Sequence, residues 1–279
     1  LIAAEKTALF KRGFYLVLYS FDNYIFDTMS TRKICRYYNM IIKKITSKQD
    51  GLKLEIAIME CDNPKGIVQF SHGMAEHKER YFDFMQYLNE RGYICVIHDH
   101  RGHGSSVKSK NDYGYFYTEN ADYIVDDLFQ VTEYVRDMYP GLEITLFSHS
   151  MGTLVARCYL KKYDGYINRL ILCGPPTENS AASLGLALAK IIKPFYKEKK
   201  GNGLLNKMAF AGYESENRWL SKNSENVDQY EADELCGFLF TTNGFINLFQ
   251  LMVKAFDKKD WKVTNRELTK LIIAGKEDK

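Results

Sequence analysis

From residue 51 onward, apolar positions along the chain fall into two alternating rhythms. Short runs rich in β-branched residues at Leu52 to Met59, Gly66 to Phe70, Tyr93 to Ile97, Glu143 to Phe147, Arg169 to Cys173 and Lys270 to Ala274 predict strands. The later runs are continuously apolar, as expected of strands buried on both faces. Between them the spacing becomes helical. Ile124, Leu128, Val131, Val135 and Met138 recur at intervals of four, three, four and three, so they share one face of a helix that Pro140 and Gly141 close. Tyr81, Phe84, Met85 and Leu88 repeat the pattern before Gly92. Strand, helix, strand in repetition predicts an α/β fold, a mostly parallel sheet with helices on both faces.

The alternation lapses over residues 177–247, which read as an insertion between two core strands. Within it, Leu184, Leu188, Ile191 and Phe195 share one helix face while Lys190, Lys193 and Lys197 share another. That arrangement suits a cover over an apolar pocket or a lipid surface, and equally an ordinary packed helix. The aromatic return segment (Phe238, Phe240, Phe245, Phe249) fits an acyl chain or core packing alike.

Ahead of the alternation, residues 1–49 read as an extension of doubtful structure. Residues 1–28 show no clear strand or helix period, the chain begins with Leu1, and Met29 or Met40 would serve as starts. Lys11 and Arg12 before the apolar run Phe14 to Tyr19 faintly imitate a signal peptide. Asp22 and Asp27 follow with no small-residue cleavage site, and the run is too short to span a bilayer. Arg32, Lys33, Arg36, Lys43, Lys44 and Lys48 stand without an acid among them; a solvated edge of the first strand accounts for them better than an anionic partner surface does.

Composition bounds the function. The chain has 279 residues, 46% hydrophobic, enough for one large domain with its own core. Thirty-eight Lys and Arg against 35 Asp and Glu leave a net charge of +3, too balanced for a nucleic-acid binder. An aromatic content of 14% at low net charge excludes a disordered chain. The six cysteines are scattered without a C-x-x-C pair, which predicts buried thiols and a cytoplasmic location. The six histidines stand at 72, 77, 98, 100, 103 and 149, with none in the last 130 residues.

The chemistry centres on Ser150. The strand run Glu143 to Phe147 leads into Ser148-His149-Ser150-Met151-Gly152, and good helix formers follow to Tyr163. Strand, tight turn and helix with a serine at the turn is the context a nucleophile elbow requires, with small residues two positions either side. Gly152 meets that demand; Ser148 stands where glycine is usual. Such a serine needs an oxyanion hole, a base and an orienting acid. Upstream, the strand ending at Phe70 runs into Ser71-His72-Gly73-Met74-Ala75-Glu76-His77, where the glycine lets the loop turn its N–H groups toward a reacting carbonyl. The N–H groups of Met74 and Met151 are the expected donors, and His72 and His77 read as loop-packing residues. The loop His98 to Ser106 is expected to stabilise the site's floor.

With these motifs the chain resembles the monoacylglycerol lipase and lysophospholipase branch of the α/β-hydrolase fold, often labelled serine aminopeptidase-like. The resemblance rests on residues 71–77 with Arg80-Tyr81, then Asp99-His100-Arg101-Gly102-His103-Gly104 with Ser106, then His149-Ser150-Met151-Gly152, then Leu271 to Asp278. It implies an α/β-hydrolase domain over residues 50–279, a helical cap at 177–247, and cleavage of a monoacylglycerol or lysophospholipid ester through an acyl-enzyme. The sequence gives no metal or organic cofactor; the expected substrate is a small lipid or ester, with peptide or small-ester substrates left open, and membrane contact at most peripheral through the cap. The triad acid of the family maps to Asp278 in a Gly-x-x-Asp turn from Gly275. The base then follows the acid, and no histidine follows Asp278. The 279 residues are therefore expected to be incomplete at the C-terminal end, to turn over esters little or not at all, and to leave the final strand as an exposed, poorly soluble edge. Two other classes compete. His98-x-His100-x-x-His103 resembles a zinc-hydrolase histidine cluster, although Gly102 stands where that signature has aspartate. The fold can also serve as a non-catalytic binding scaffold.

Overall fold

In the computed structural model the described residues are 14–16 (as backbone), 39–210, 220–259 and 261–276. Eight strands form one sheet: β1 (Phe14–Leu16), β2 (Met40–Thr46), β3 (Lys53–Met59), β4 (Gly66–Ser71), β5 (Tyr93–His98), β6 (Ile144–His149), β7 (Arg169–Cys173) and β8 (Thr269–Ile273). Their order is β1-β8-β7-β6-β4-β5-β3-β2. The pairings from β1 through β5 are parallel, while β3 is antiparallel to both β5 and β2. The six predicted strand runs are β3 to β8.

Two strands were not legible as periods. β2 is the basic stretch, set against β3 with Met40 opposite Met59 and Thr46 opposite Lys53. Its residues alternate between half-buried and exposed, which makes it the solvated sheet edge expected there. β1 falls in a stretch expected to hold no strand. It pairs with β8, Phe14 opposite Lys270, so β8 is not the edge of the sheet and that expectation is corrected.

The sheet is buried on both faces, which explains the continuous apolar runs. Along β3 and β5, Ile56, Ile58, Ile94 and Val96 pack into one core, whereas Ala57, Met59, Cys95 and Ile97 pack into another, the period-two alternation of a strand. The first core is filled by α2 (Asp122–Met138), α3 (Met151–Tyr163) and α7 (Thr242–Phe256); the second is closed by α1 (Phe82–Asn89). Ile124, Leu128, Val131 and Val135 are all buried, as their spacing requires, and only Met138 at the end of α2 is exposed.

Between β7 and β8 lie α4 (Ala182–Ile192), α5 (Gly203–Ala209), α6 (Ser224–Ala232) and α7. α7 begins inside the predicted insertion and packs against α3, with α4 laid across it. Phe240, Phe245 and Phe249 are core residues, which decides between the two readings of that segment. α4 packs through Ala182 and Ala189, while Leu184, Ile191 and, just beyond it, Phe195 are 67%, 67% and 85% exposed. Of the predicted apolar row, Leu188 is half-buried against the core and the other three face outward. Among the described residues, no helix is long and apolar enough to cross a membrane.

Candidate active site

Ser150 occupies the single residue between β6 and α3, with φ 48° and ψ −119°. A non-glycine residue there is strained, and the surroundings must hold it in place. They do so from both sides. The Ser150 N–H donates to the Cys173 carbonyl on β7 at 3.0 Å, and the Ser150 carbonyl accepts from the Thr153 N–H at 2.8 Å and Thr153 Oγ1 at 2.7 Å. Strand and helix meet so closely that a Cβ on Gly152 would lie 2.1 Å from the Ser71 carbonyl oxygen and 2.7 Å from that of His72. Ser148 is accommodated because its hydroxyl donates to the Ile171 carbonyl at 3.0 Å.

The loop after β4 passes directly beside the serine. A Cβ on Gly73 would lie 3.3 Å from Ser150 Cβ and 2.6 Å from Glu76 Oε1, so the backbone reaches Ser150 only because this residue is glycine. Met74 follows, and Ala75 takes a left-handed φ of 51° that bends the loop. Met151 is the first residue of α3, where an N–H has no helical acceptor and the helix dipole is positive. Among the described residues, neither the Met74 nor the Met151 N–H donates to another group of the chain. Met151 thus adjoins Ser150 in the chain, and Met74 follows the glycine that lies against it. Asp278 lies outside the described residues.

Glu76 is the residue whose part the sequence did not announce. Its buried carboxylate accepts from the Gly73 N–H at 2.5 Å, Tyr81 Oη at 2.8 Å, Arg80 Nε at 3.1 Å and His149 Nδ1 at 3.2 Å. Burial alone would raise its pKa, but the His149 contact and the charge of Arg80 hold it far below the usual carboxylate range. A single anion therefore fixes the loop glycine, the residue before the nucleophile and the start of α1. An acid followed at four and five positions by Arg80 and Tyr81 was the available signal.

The histidines sort by environment. His72, His98, His100 and His103 are all buried, and burial drives their pKa values down, those of His98 and His103 to about 3. His72 donates from Nδ1 to the Gly73 carbonyl at 2.8 Å and accepts at Nε2 from the His100 N–H at 2.9 Å. His103 Nδ1 faces the Arg101 carbonyl at 3.0 Å, and its Nε2 accepts from the Ala75 N–H at 3.3 Å. The loop from His98 to Ser106 is thereby tied to the loop that carries Met74. Among the described residues, His98, His100 and His103 do not present their nitrogens to one ion, which removes the basis for the zinc reading.

His77 differs. It contacts Glu79 from Nδ1 at 2.5 Å and Asp233 from Nε2 at 2.8 Å. Burial would lower its pKa, yet hydrogen bonds to Asp233, Cys236 and Glu79 push it up to about 12. The segment after α6 also meets this loop at Ala75, whose carbonyl accepts from Tyr230 Oη at 3.1 Å and the Gly237 N–H at 2.9 Å.

Residues 62–279 match the family model described as serine aminopeptidase, S33. The chain belongs to that hydrolase family. Human monoglyceride lipase is 28% identical over 175 residues, 62% of this chain and 52% of the human protein. Monoacylglycerol lipase of Mycolicibacterium smegmatis is 27% identical over 173 residues, 62% of this chain and 57% of its own. The chain thus spans little more than half the length of these relatives. Among solved structures, a thermostable carboxyl esterase from Bacillus coagulans superposes with a TM-score of 0.71 at 20% identity, over 85% of this chain and 90% of that one. A monoglyceride lipase variant from Saccharomyces cerevisiae gives 0.58 at 17% identity, over 86% and 87%. At those identities the likeness establishes the α/β-hydrolase fold.

Proposed function

We propose that the chain carries the acylation site of a serine carboxylester hydrolase acting on monoacylglycerol or lysophospholipid-type esters. The observation that carries the reading is Ser150 in its positive-φ turn between β6 and α3, with the loop glycine Gly73 lying against it. Ser150 Oγ attacks the ester carbonyl, the developing oxyanion takes hydrogen bonds from the Met74 and Met151 amides, and the alcohol departs to leave an acyl-enzyme that water resolves. Asp278 is the acid that would orient the base. None of the six histidines supplies that base in this reading: four are buried as neutral packing residues, His77 is held between carboxylates, and His149 directs Nδ1 to Glu76. The 279 residues alone should therefore turn over esters slowly or not at all.

The acyl-chain preference is supported by the names of the relatives and by residues 177–247, read as a cap. Its outward row, Leu184, Ile191 and Phe195 beside Lys190 and Lys193, suits peripheral contact with a lipid surface.

The test is acylation by p-nitrophenyl butyrate with imidazole supplied as base, read by intact mass and peptide mapping. A single butyryl adduct on Ser150, blocked by a long-chain monoalkylglycerol ether, is expected. An adduct elsewhere, or one that only short esters compete away, overturns the nucleophile or the substrate class respectively.

A further inference from the structure

Three ligating side chains outside the serine site converge on one point: His77 Nε2, the Asp233 carboxylate and Cys236 Sγ. Their ligand atoms all lie within 4.8 Å of one another. His77 and Cys236 are buried, and Asp233 is half-buried. The site has the parts of a transition-metal centre in an unusual degree of order. The imidazole is already aimed by a second carboxylate, since Glu79 Oε2 stands 2.5 Å from His77 Nδ1 and leaves Nε2 to face Asp233 at 2.8 Å. A carboxylate on the far nitrogen is the arrangement that fixes the tautomer and raises the basicity of metal-binding histidines. Glu79 is itself held by Lys78 Nζ at 2.6 Å, so it is not free to swing into the site as a competing ligand. One nitrogen, one sulfur and one carboxylate oxygen suit tetrahedral zinc, with the fourth position left to water.

We propose that His77, Asp233 and Cys236 bind a divalent transition metal of the zinc class, distinct from the Ser150 site. Binding replaces two protons with one dication: the proton on His77 Nε2 and the thiol proton of Cys236 leave to solvent, while His77 Nδ1 keeps its proton toward Glu79. The consequence is mechanical. His77 closes the loop that carries Met74 and Ala75, whereas Asp233 and Cys236 belong to the segment between β7 and β8, so the metal would staple that segment to the loop beside Ser150. The Tyr230 and Gly237 hydrogen bonds to Ala75 already bring the two together without it.

The measurement uses the intact chain, stripped with chelator and titrated with cobalt(II), which reports thiolate ligation by charge-transfer absorption and tetrahedral geometry by visible bands. One equivalent is expected to bind, and zinc is expected to displace it. Cys236→Ser should abolish the charge-transfer band, Asp233→Asn should weaken binding, and Glu79→Gln should weaken it by about 10-fold through loss of the orienting carboxylate. Far-ultraviolet circular dichroism and labelling of Ser150 establish that each variant is folded. Absence of cobalt bands up to millimolar metal in the folded chain overturns the proposal and leaves the cluster as an imidazolium between carboxylates. A band that survives Cys236→Ser assigns the metal to another thiol and overturns it equally.

Discussion

Replacing Gly152 with alanine tests the elbow most sharply. The added methyl would lie 2.1 Å from the Ser71 carbonyl oxygen and 2.7 Å from that of His72. Both neighbours are backbone, so no side-chain rotation relieves the contact, and α3 must move away from the end of β4. Overpacking in a filled interior costs about 1–3 kcal/mol, and this site belongs at the upper end of that range. At roughly 2–4 °C per kcal/mol for a domain of this size, the melting temperature should fall by about 6–12 °C. The same shift carries the Met151 amide away from Met74, and a displacement near 1 Å at a reacting centre is worth about 100-fold in rate. Labelling of Ser150 should therefore slow by about that factor. Gly203→Ala is the control, because a Cβ at the start of α5 meets nothing within 4 Å. It should be neutral or stabilising by about 0.4–1 kcal/mol. Paired melting curves and labelling rates decide. A Gly152→Ala protein that melts within about 2 °C of the parent and labels at the parent rate would show that the close approach of α3 to the end of β4 does not set the elbow.

Three further outcomes follow from the same geometry. Asp127→Asn should cost about 3–5 kcal/mol in a urea titration, because Asp127 is a buried partner of the buried Arg101, at 2.8 Å, and its loss leaves that guanidinium with Asp50 alone among carboxylates. Stability should fall with acid in two windows. His98 and His103 have folded pKa values lowered to about 3, so their contribution is complete above the unfolded value of 6.5 and is lost as pH falls from there toward 3. The depressed carboxylate of Glu76 adds a loss that begins below its ordinary 4.5. Unfolding midpoints against pH check both, and His98→Phe should flatten the upper window by up to about 1.4 kcal/mol per pH unit. Ser148→Gly, which restores the usual elbow glycine, should destabilise by about 1–2 kcal/mol through the lost hydrogen bond to Ile171 and the freer backbone, with Ser150 labelling unchanged.

Much of this architecture could be read from the chain because it is locally encoded. Strands buried on both faces write themselves as continuous apolar runs, and the period of α2 placed four of its five apolar residues in the core correctly. The elbow and the loop beside it were legible for the same reason: each is a short strand-to-turn motif whose glycine has one backbone explanation. β2 escaped because Lys43 and Lys44 break its alternation on an edge open to water. β1 escaped because three residues are too few to show a period, and its pairing with β8 spans more than 250 positions. The role of Glu76 and the Arg101–Asp127 pair escaped because buried polar groups are defined by partners, and those partners arrive only when distant segments meet. The apolar row of α4 was visible as a pattern, but Leu184 and Ile191 face outward because the helix packs through its small residues against α7, which hydrophobicity alone does not rank.

In the proposed reading Ser150 is the nucleophile, and the elbow and the Met74 loop, without a base of their own, prepare it for acylation. A fluorophosphonate probe applied to the 279-residue chain, with imidazole as exogenous base, tests it directly by peptide mass. One adduct is expected, on Ser150, accelerated by imidazole and absent from Ser150→Ala. An equal yield of adduct in Ser150→Ala, or no adduct on the folded parent chain, would contradict it.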